Sequence, residues 1–370
     1  MPNNPFAKKE KLKILVGMSG GVDSSVAASL LVEQGHDVTG GFIKNWSDSK
    51  DLWTGECEWR GERRDALRVA ARLGIPLLTF DFEEEYRKRV LDRMFAEYRQ
   101  GVTPNPDVLC NEEIKFGLFF EAAMKLGFDG IATGHYARVR HEGDDHQLLV
   151  AVDPAKDQSY FLHRISKESL SKSYFPIGEF HKDEVRRMAA ERDLPVAHKP
   201  DSQGICFVGK LDFHQFLRLR NPPKPGDIVN PEGEIIGKHD GLDGYTIGQR
   251  HGIHVSKDGK AWYVAAKDRD LNRIIIVPDR EHELLYSHSA QVENIHLLNK
   301  LPSDGHINVV VRYHSEAIPA TINMTGDASG TMTFQKPVWA MAPGQSAVFY
   351  HGEECLGGGF LADNRLDSGA

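Results

Sequence analysis

Leu12-Lys13-Ile14-Leu15-Val16-Gly17-Met18-Ser19-Gly20-Gly21-Val22-Asp23-Ser24-Ser25 decides how this chain folds. Residues 12–18 form an apolar run of strand length. Val26, Ala27, Leu30 and Leu31 then recur at helical spacing, with Gly35 as a stop. A buried strand therefore turns into a helix through Gly20 and Gly21. Glycines let backbone N–H groups close on an anion, and a helix N-terminus adds unpaired donors and the positive end of its dipole. Ser19, Ser24 and Ser25 add hydroxyls, and Asp23 can hold the turn or a bound Mg²⁺. The pattern is a phosphate-binding loop. No lysine follows the glycines, so it is not the G-x-x-x-x-G-K-[ST] loop.

Outward from the loop, strand and helix patterns alternate. Strands are expected at 12–18, 37–43, 76–80 and 130–133, and helices at 22–33, 62–73, 83–99 and 113–126. That alternation predicts a doubly wound parallel sheet, in which nucleotides bind beyond the strand C-termini at a topological switch. The glycine loop lies at such an end, as does Thr133-Gly134-His135. After residue 210 the pattern changes. Pro222-Pro223-Lys224-Pro225-Gly226 breaks the chain and short strands follow at 227–230, 234–238, 261–266 and 273–277. From 284 onward, strands at 307–313, 318–324, 331–334, 346–350 and 354–360 predict a closed six-stranded β-barrel. The expected division is 1–210, 211–283 and 284–370.

At 370 residues, two or three domains are expected. With 40% hydrophobic and 26% charged residues the composition is that of a globular protein. No apolar run is long enough to span a bilayer, and residues 1–13 lack the apolar centre of a signal peptide, so a cytoplasmic protein without a membrane partner is expected. Four cysteines are too few for a disulfide scaffold, and no Cys/His pair has zinc spacing, so no structural metal is expected. The net charge of −8 argues mildly against a nucleic-acid partner. Locally, however, Lys199, Lys210, Arg218, Arg220 and Lys224 outnumber Asp201 and Asp212 and could form a basic face.

Cysteines carry the other candidate chemistry. Cys110 follows Thr103-Pro104-Asn105-Pro106-Asp107-Val108-Leu109 and falls just ahead of the helix expected from 113, where the helix dipole favours thiolate; Asp107 is an acid/base candidate. Cys206 lies in Asp201-Ser202-Gln203-Gly204-Ile205-Cys206-Phe207, beside the basic stretch. Core packing is the competing role for both. Cys57 lies between acids that disfavour thiolate, and Cys355 is expected in the barrel core. Two thiols with an ATP-activating loop suit a reaction in which ATP adenylates a carbonyl oxygen, sulfur displaces AMP, and a second thiol resolves the carrier as a disulfide.

The loop resembles that of the PP-loop ATP pyrophosphatases, which bind the pyrophosphate end of ATP. The chain as a whole is similar to the tRNA 2-thiouridylase family. The resemblance rests on residues 17–25, Lys44-Asn45-Trp46, 103–111, Ala132-Thr133-Gly134-His135-Tyr136, 156–161, 201–207, Gly248-Gln249-Arg250 and 343–350. It implies that ATP, with Mg²⁺, sits on Gly17, Met18, Ser19, Gly20, Gly21, Val22, Asp23 and Ser24, with Ile43 and Gly134 on the adenosine side. It implies that Cys206 carries sulfur as a persulfide, that Cys110 is the nucleophile that cleaves or attacks it, and that Asp107 is the acid/base. Asn105, Pro106, Asp107, His135, Lys156, Asp157, Gln158, Arg312, Tyr313 and Gln345 match tRNA-contacting positions. The implied substrate is the wobble uridine of tRNAs for lysine, glutamate and glutamine, with sulfur from a cysteine desulfurase or persulfide carrier. An amide-forming ligase that attacks the adenylate with ammonia shares the loop but needs no cysteine pair. A non-catalytic tRNA-binding protein would need neither.

Overall fold

The computed structural model describes residues 11–47, 58–201, 213–218, 220–253, 255 and 261–363. Its first sheet has five strands in the order Leu77–Asp81, Asp37–Lys44, Lys13–Gly17, Gly130–Ala132, Ser173–Tyr174. All neighbours are parallel. Ile14, Leu15 and Val16 are fully buried because the central strand is covered on both faces, which is why it reads as a continuous apolar run. Chain order runs outward from Lys13–Gly17 in both directions. The switch crevice therefore opens between the C-terminal ends of that strand and of Gly130–Ala132.

Helix Val22–Glu33 has the expected bounds. Two others differ in a way that matters. The helix expected at 83–99 is interrupted by a π-helical turn, Arg87–Leu91. The helix expected at 113–126 begins earlier, at Pro106, and passes through a π-helical stretch, Cys110–Phe119, before Phe120–Lys125. The Asn105 carboxamide oxygen accepts hydrogen bonds from the Asp107 and Val108 N–H groups at 3.2 and 3.3 Å, and Pro106 takes the first helical position, where its missing N–H costs nothing. Cys110 thus lies inside a helix rather than ahead of one.

The middle of the chain forms a four-stranded sheet of Gly226–Val229, Ile235–His239, Tyr263–Asp268 and Arg273–Val277 around Ile228, Val264, Ile274 and Ile276. Beyond it, six strands close into a barrel. Tyr286–Leu297, Ser329–Trp339, Ile318–Gly326, His306–Val310, Ser346–His351 and Glu354–Leu361 are paired in that order, and the last returns to the first. The twelve-residue strand Tyr286–Leu297 is one the sequence pattern did not show, because its polar face breaks the apolar run.

One further pairing joins the units. The hairpin Arg138–Glu142/Asp145–Leu149 leaves the parallel-sheet region and extends the barrel sheet, with Leu149 opposite Glu354 and Leu148 opposite Cys355. Side chains follow the backbone. Val139, Leu148, Tyr160 and Leu162 pack in one cluster with Leu298, Val348, Tyr350 and Cys355. Cys355 has the core role expected of it, and burial pushes its thiol up to about 12.

Candidate active site

The glycine loop is built for an anion. Gly20 has φ +74°, and a side chain there would strike the Glu62 carbonyl oxygen at 2.3 Å. Ser24 Oγ accepts from the Ser19 N–H at 3.2 Å, Ser19 Oγ accepts from the Gly21 N–H at 3.3 Å, and Ser25 Oγ donates to the Gly21 carbonyl at 2.6 Å. The serines thus brace the turn, while Gly21 leaves the start of helix Val22–Glu33 without a side-chain cap. Its first N–H groups thus meet no capping side chain, as phosphate binding requires. Gly134 closes the other side: a side chain there would strike the Ser24 backbone nitrogen at 2.5 Å. Ile43, at the end of the neighbouring strand, is buried. Gly134 thus meets the loop at Asp23 and Ser24, Gly17 ends the central strand beside Ser19, Gly20 and Gly21, and Met18 and Val22 are buried in one core cluster and Ile43 in another. These donors fit a polyphosphate. Among the described residues, no group of three or more His, Cys, Asp or Glu side chains could hold a metal by itself.

Asp23 is held by residues that the sequence reading did not single out. Lys182 Nζ donates to both its oxygens at 2.7 and 2.8 Å, and the Tyr136 hydroxyl donates at 3.0 Å. Lys182 also reaches Asp201 at 3.0 Å; Lys156 reaches the same carboxylate at 3.1 Å, and Arg186 completes the cluster. Burial alone would raise the Asp201 carboxyl, but the hydrogen bonds from Lys182 and Lys156 overcome it and hold it below its ordinary value. Lys182 is buried at the start of helix Lys182–Glu191, behind His181, whose backbone N–H is held by Glu184 at 2.9 Å. The string His181-Lys182-Asp183-Glu184 reads as a helix start, and nothing local reveals that Asp23 lies 159 positions away in sequence yet in contact.

A second set of predicted residues meets where the parallel-sheet unit touches the barrel. Gln345 donates to the Thr103 carbonyl at 2.9 Å, and the Thr103 N–H donates to the Pro343 carbonyl at 2.9 Å. This ties the segment before Asn105, Pro106 and Asp107 to the barrel. Tyr313 packs on Phe161 with ring centroids 4.4 Å apart and on Tyr160 at 5.9 Å. Burial, with the charges of Asp157 and Asp107, pushes the Tyr313 hydroxyl up to about 12. Arg312 donates to the Ala340 and Ile247 carbonyls at 3.0 and 3.3 Å and lies over Trp339. Asn111, next to Cys110, donates to the Phe161 carbonyl at 3.1 Å.

The segment 156–158 links the two sets. Gln158 and Tyr136 exchange hydrogen bonds, Tyr136 N–H to Gln158 Oε1 at 3.0 Å and Gln158 N–H to the Tyr136 carbonyl at 2.7 Å. Asp157 accepts from the Ala151 N–H at 2.8 Å and from the Ser159 hydroxyl at 2.7 Å, and burial raises its carboxyl. His135 is buried, 8% exposed; burial, reinforced by the Lys115 charge, pushes it well below its ordinary value. Cys110 is fully buried among Leu109, Ile114, Phe116 and Phe119. Cys206 and Cys57 lie outside the described residues. The expected basic face is largely spent. Lys199 pairs with Asp65 and donates to the Gly20 carbonyl, both at 3.0 Å, Arg218 pairs with Asp240, and Arg220 pairs with Asp92. Lys210 and Asp212 lie outside the described residues.

A parallel sheet with an uncapped glycine loop at its switch point defines a PP-loop enzyme that uses ATP. The chain matches three family models: a "tRNA methyl transferase HUP domain" at residues 12–210, a "tRNA methyl transferase PRC-barrel domain" at 214–278 and an "Aminomethyltransferase beta-barrel domain" at 287–361. It is 47% identical over 358 residues to the tRNA-specific 2-thiouridylase MnmA of Ralstonia pickettii, covering 95% of this chain and 96% of that protein. It is 45% identical over 359 residues to the protein of the same name from Bacillus subtilis, covering 96% of each. The chain belongs to the tRNA-specific 2-thiouridylase (MnmA) family, a family of tRNA sulfurtransferases. No described helix is long and apolar enough to cross a membrane.

Proposed function

We propose that the chain converts the wobble uridine of tRNAs for lysine, glutamate and glutamine to 2-thiouridine. In this reading the C2 carbonyl oxygen attacks the α-phosphate of Mg-ATP, and pyrophosphate leaves from the amides of 20–22 and the Ser19 and Ser24 hydroxyls. The terminal sulfur of a Cys206 persulfide then bonds to C2. Cys110 thiolate attacks the Cys206 sulfur, the S–S bond gives its electron pair to the sulfur on C2, and AMP departs with the former carbonyl oxygen. A Cys110–Cys206 disulfide remains, which an external dithiol must reduce. Asp107 takes and returns the protons. Asn105, Pro106 and Tyr313 bound the pocket for a base splayed from the anticodon loop. Gly134 and Ile43 flank the adenosine. Lys156, Arg312 and Gln345 face the RNA, with Asp157, Gln158 and His135 fixing the surfaces beside them. The persulfide sulfur comes from a desulfurase or a carrier protein.

The observation that carries this reading is the helix start at Asn105. One cap fixes Asp107 and Cys110 on the first turns of a helix whose Phe119 lies against Gly17 and Gly41 of the parallel sheet. The test is nucleoside mass spectrometry of unmodified glutamate tRNA after incubation with the protein, Mg-ATP and a cysteine desulfurase with cysteine, which delivers sulfur at the persulfide level. Sulfur in place of one oxygen at the wobble uridine is the expected product. Turnover that persists after Cys110→Ser and Cys206→Ser would instead point to ammonia-type chemistry on the same loop.

A further inference from the structure

Lys115 lies five residues beyond Cys110 and touches His135, and its surroundings give it a direction. It lies on the π-helical stretch Cys110–Phe119. In α-geometry a residue five positions on is rotated about 140° away. The i→i+5 hydrogen bonding of a π-helix brings it back to nearly the same side. Lys115 is therefore one turn beyond Cys110. At the far end of the stretch, the Phe119 ring lies against the strand ends: a side chain at Gly41 would meet it at 2.6 Å and one at Gly17 at 3.7 Å.

Lys115 Nζ is 3.4 Å from His135 Nε2, and His135 Nδ1 is 2.7 Å from Thr133 Oγ1. An ammonium group only donates, so Nε2 must accept. The neutral ring then carries its hydrogen on Nδ1 and donates to Thr133. Having accepted, the Thr133 hydroxyl keeps its own proton to give away. Phe116 and Phe175 flank the imidazole with ring centroids 5.8 and 6.2 Å from it, which fixes its plane. Thr133 precedes Gly134, which abuts the first turn of the loop helix.

We propose that Lys115 is a positioning residue of the thiolation reaction: it sets the polarity of a Lys115→His135→Thr133 hydrogen-bond chain, so that Thr133 presents a donor at the nucleotide crevice. The proposal rests on the thiouridylase reading for its kinetic part and on geometry alone for its tautomer part. Burial of the imidazole supports it by keeping the ring neutral.

The experiment uses the full chain labelled with ¹⁵N-histidine, the His135 signals being assigned by their loss in His135→Gln. Wild type is expected to show the neutral Nδ1–H tautomer, and Lys115→Met a shift toward the other tautomer. In parallel, tRNA-dependent AMP release, with a cysteine desulfurase and cysteine supplying persulfide sulfur, is measured for wild type, Lys115→Met, Lys115→Arg and Thr133→Val. Loss of a supporting partner of this kind costs roughly 10- to 100-fold. That loss is expected in kcat for Lys115→Met and Thr133→Val, with KM for ATP changed by less than about threefold and most of the rate recovered in Lys115→Arg. A wild-type His135 protonated on Nε2, or charged, overturns the proposal. So does full turnover in Lys115→Met. If Lys115→Met proves unstable, the wild-type tautomer and Thr133→Val still decide. Wild-type protein without tRNA-dependent AMP release would refute the thiouridylase reading and leave the tautomer result standing.

Discussion

Gly20 and Gly21 look interchangeable in the sequence, yet only one is forced. Gly20 combines φ +74° with a carbonyl oxygen in the place of a side chain, whereas at Gly21 (φ −97°) the nearest obstacle is the Ser19 hydroxyl at 3.3 Å. Gly20→Ala is therefore expected to cost about 1–3 kcal/mol of stability and to abolish tRNA-dependent AMP release, while Gly21→Ala folds with a near-wild-type melting temperature. Thermal melts of the two variants side by side check this. A second residue-scale prediction concerns pH. His163 is fully buried, its Nδ1 donates to the Tyr160 carbonyl at 2.8 Å, and burial pushes it down to about 3. Its folded value lies below the ordinary 6.5, so unfolding takes up a proton in acid. Stability is full above pH 6.5 and falls below it, by about 1.4 kcal/mol per pH unit per such histidine. Denaturant titrations from pH 7.5 to 5 should show that slope, and His163→Gln should reduce it by one proton; an unchanged slope would remove His163 from the account. The loop was legible in the sequence because strand, glycines and helix are adjacent there. Lys182 was not, because its contact with Asp23 is set by the packing of two distant helices.

At the scale of elements, the helix carrying Cys110 is the informative one. Asn105-Pro106 is a cap followed by a first-turn proline, a start signal placed earlier than the apolar stripe shows. The π-register could not be read at all. Periodicity locates an apolar face only to within a turn, and one extra residue per turn over ten positions leaves a pattern that α-geometry also fits. Asn105→Ala removes the acceptor for two N–H groups and is expected to cost about 1 kcal/mol of stability. Its effect on turnover should be larger than on melting, since Asp107 and Cys110 both depend on that first turn. A variant that melts lower yet thiolates at the wild-type rate would separate the cap from the chemistry.

Taken whole, the molecule divides differently in space than in sequence. Composition and turn spacing distinguish three stretches, but the core does not respect the last division: Leu148 and Val139 share a cluster with Val348 and Cys355. The parallel-sheet unit and the barrel are thus expected to melt in one calorimetric transition, and Leu148→Ala, at about 2–5 kcal/mol, should lower both together. Separate transitions for the two would contradict the shared core. The net charge of −8 also acts at this scale. Lys199, Arg218, Arg220 and Lys156 are each paired with a carboxylate, so an RNA phosphate must compete with that partner for the cation. Lys156→Ala should reduce the salt slope of tRNA binding by about one, read from filter binding across a salt series.

The hairpin that completes the barrel sheet has a consequence for synthesis. Gln147 meets Glu354 across 207 positions of sequence. While the chain is being translated, the ribosome must deliver the whole middle sheet and most of the barrel before this seam can close. During that interval the nascent parallel-sheet unit presents Val139, Leu148 and Tyr160 uncovered, together with an unpaired strand edge. Pairings this distant form slowly and expose sticky intermediates. A nascent chain stalled ahead of Glu354 should therefore be a client of the chaperones that wait at the exit tunnel, and one released past Leu361 should not.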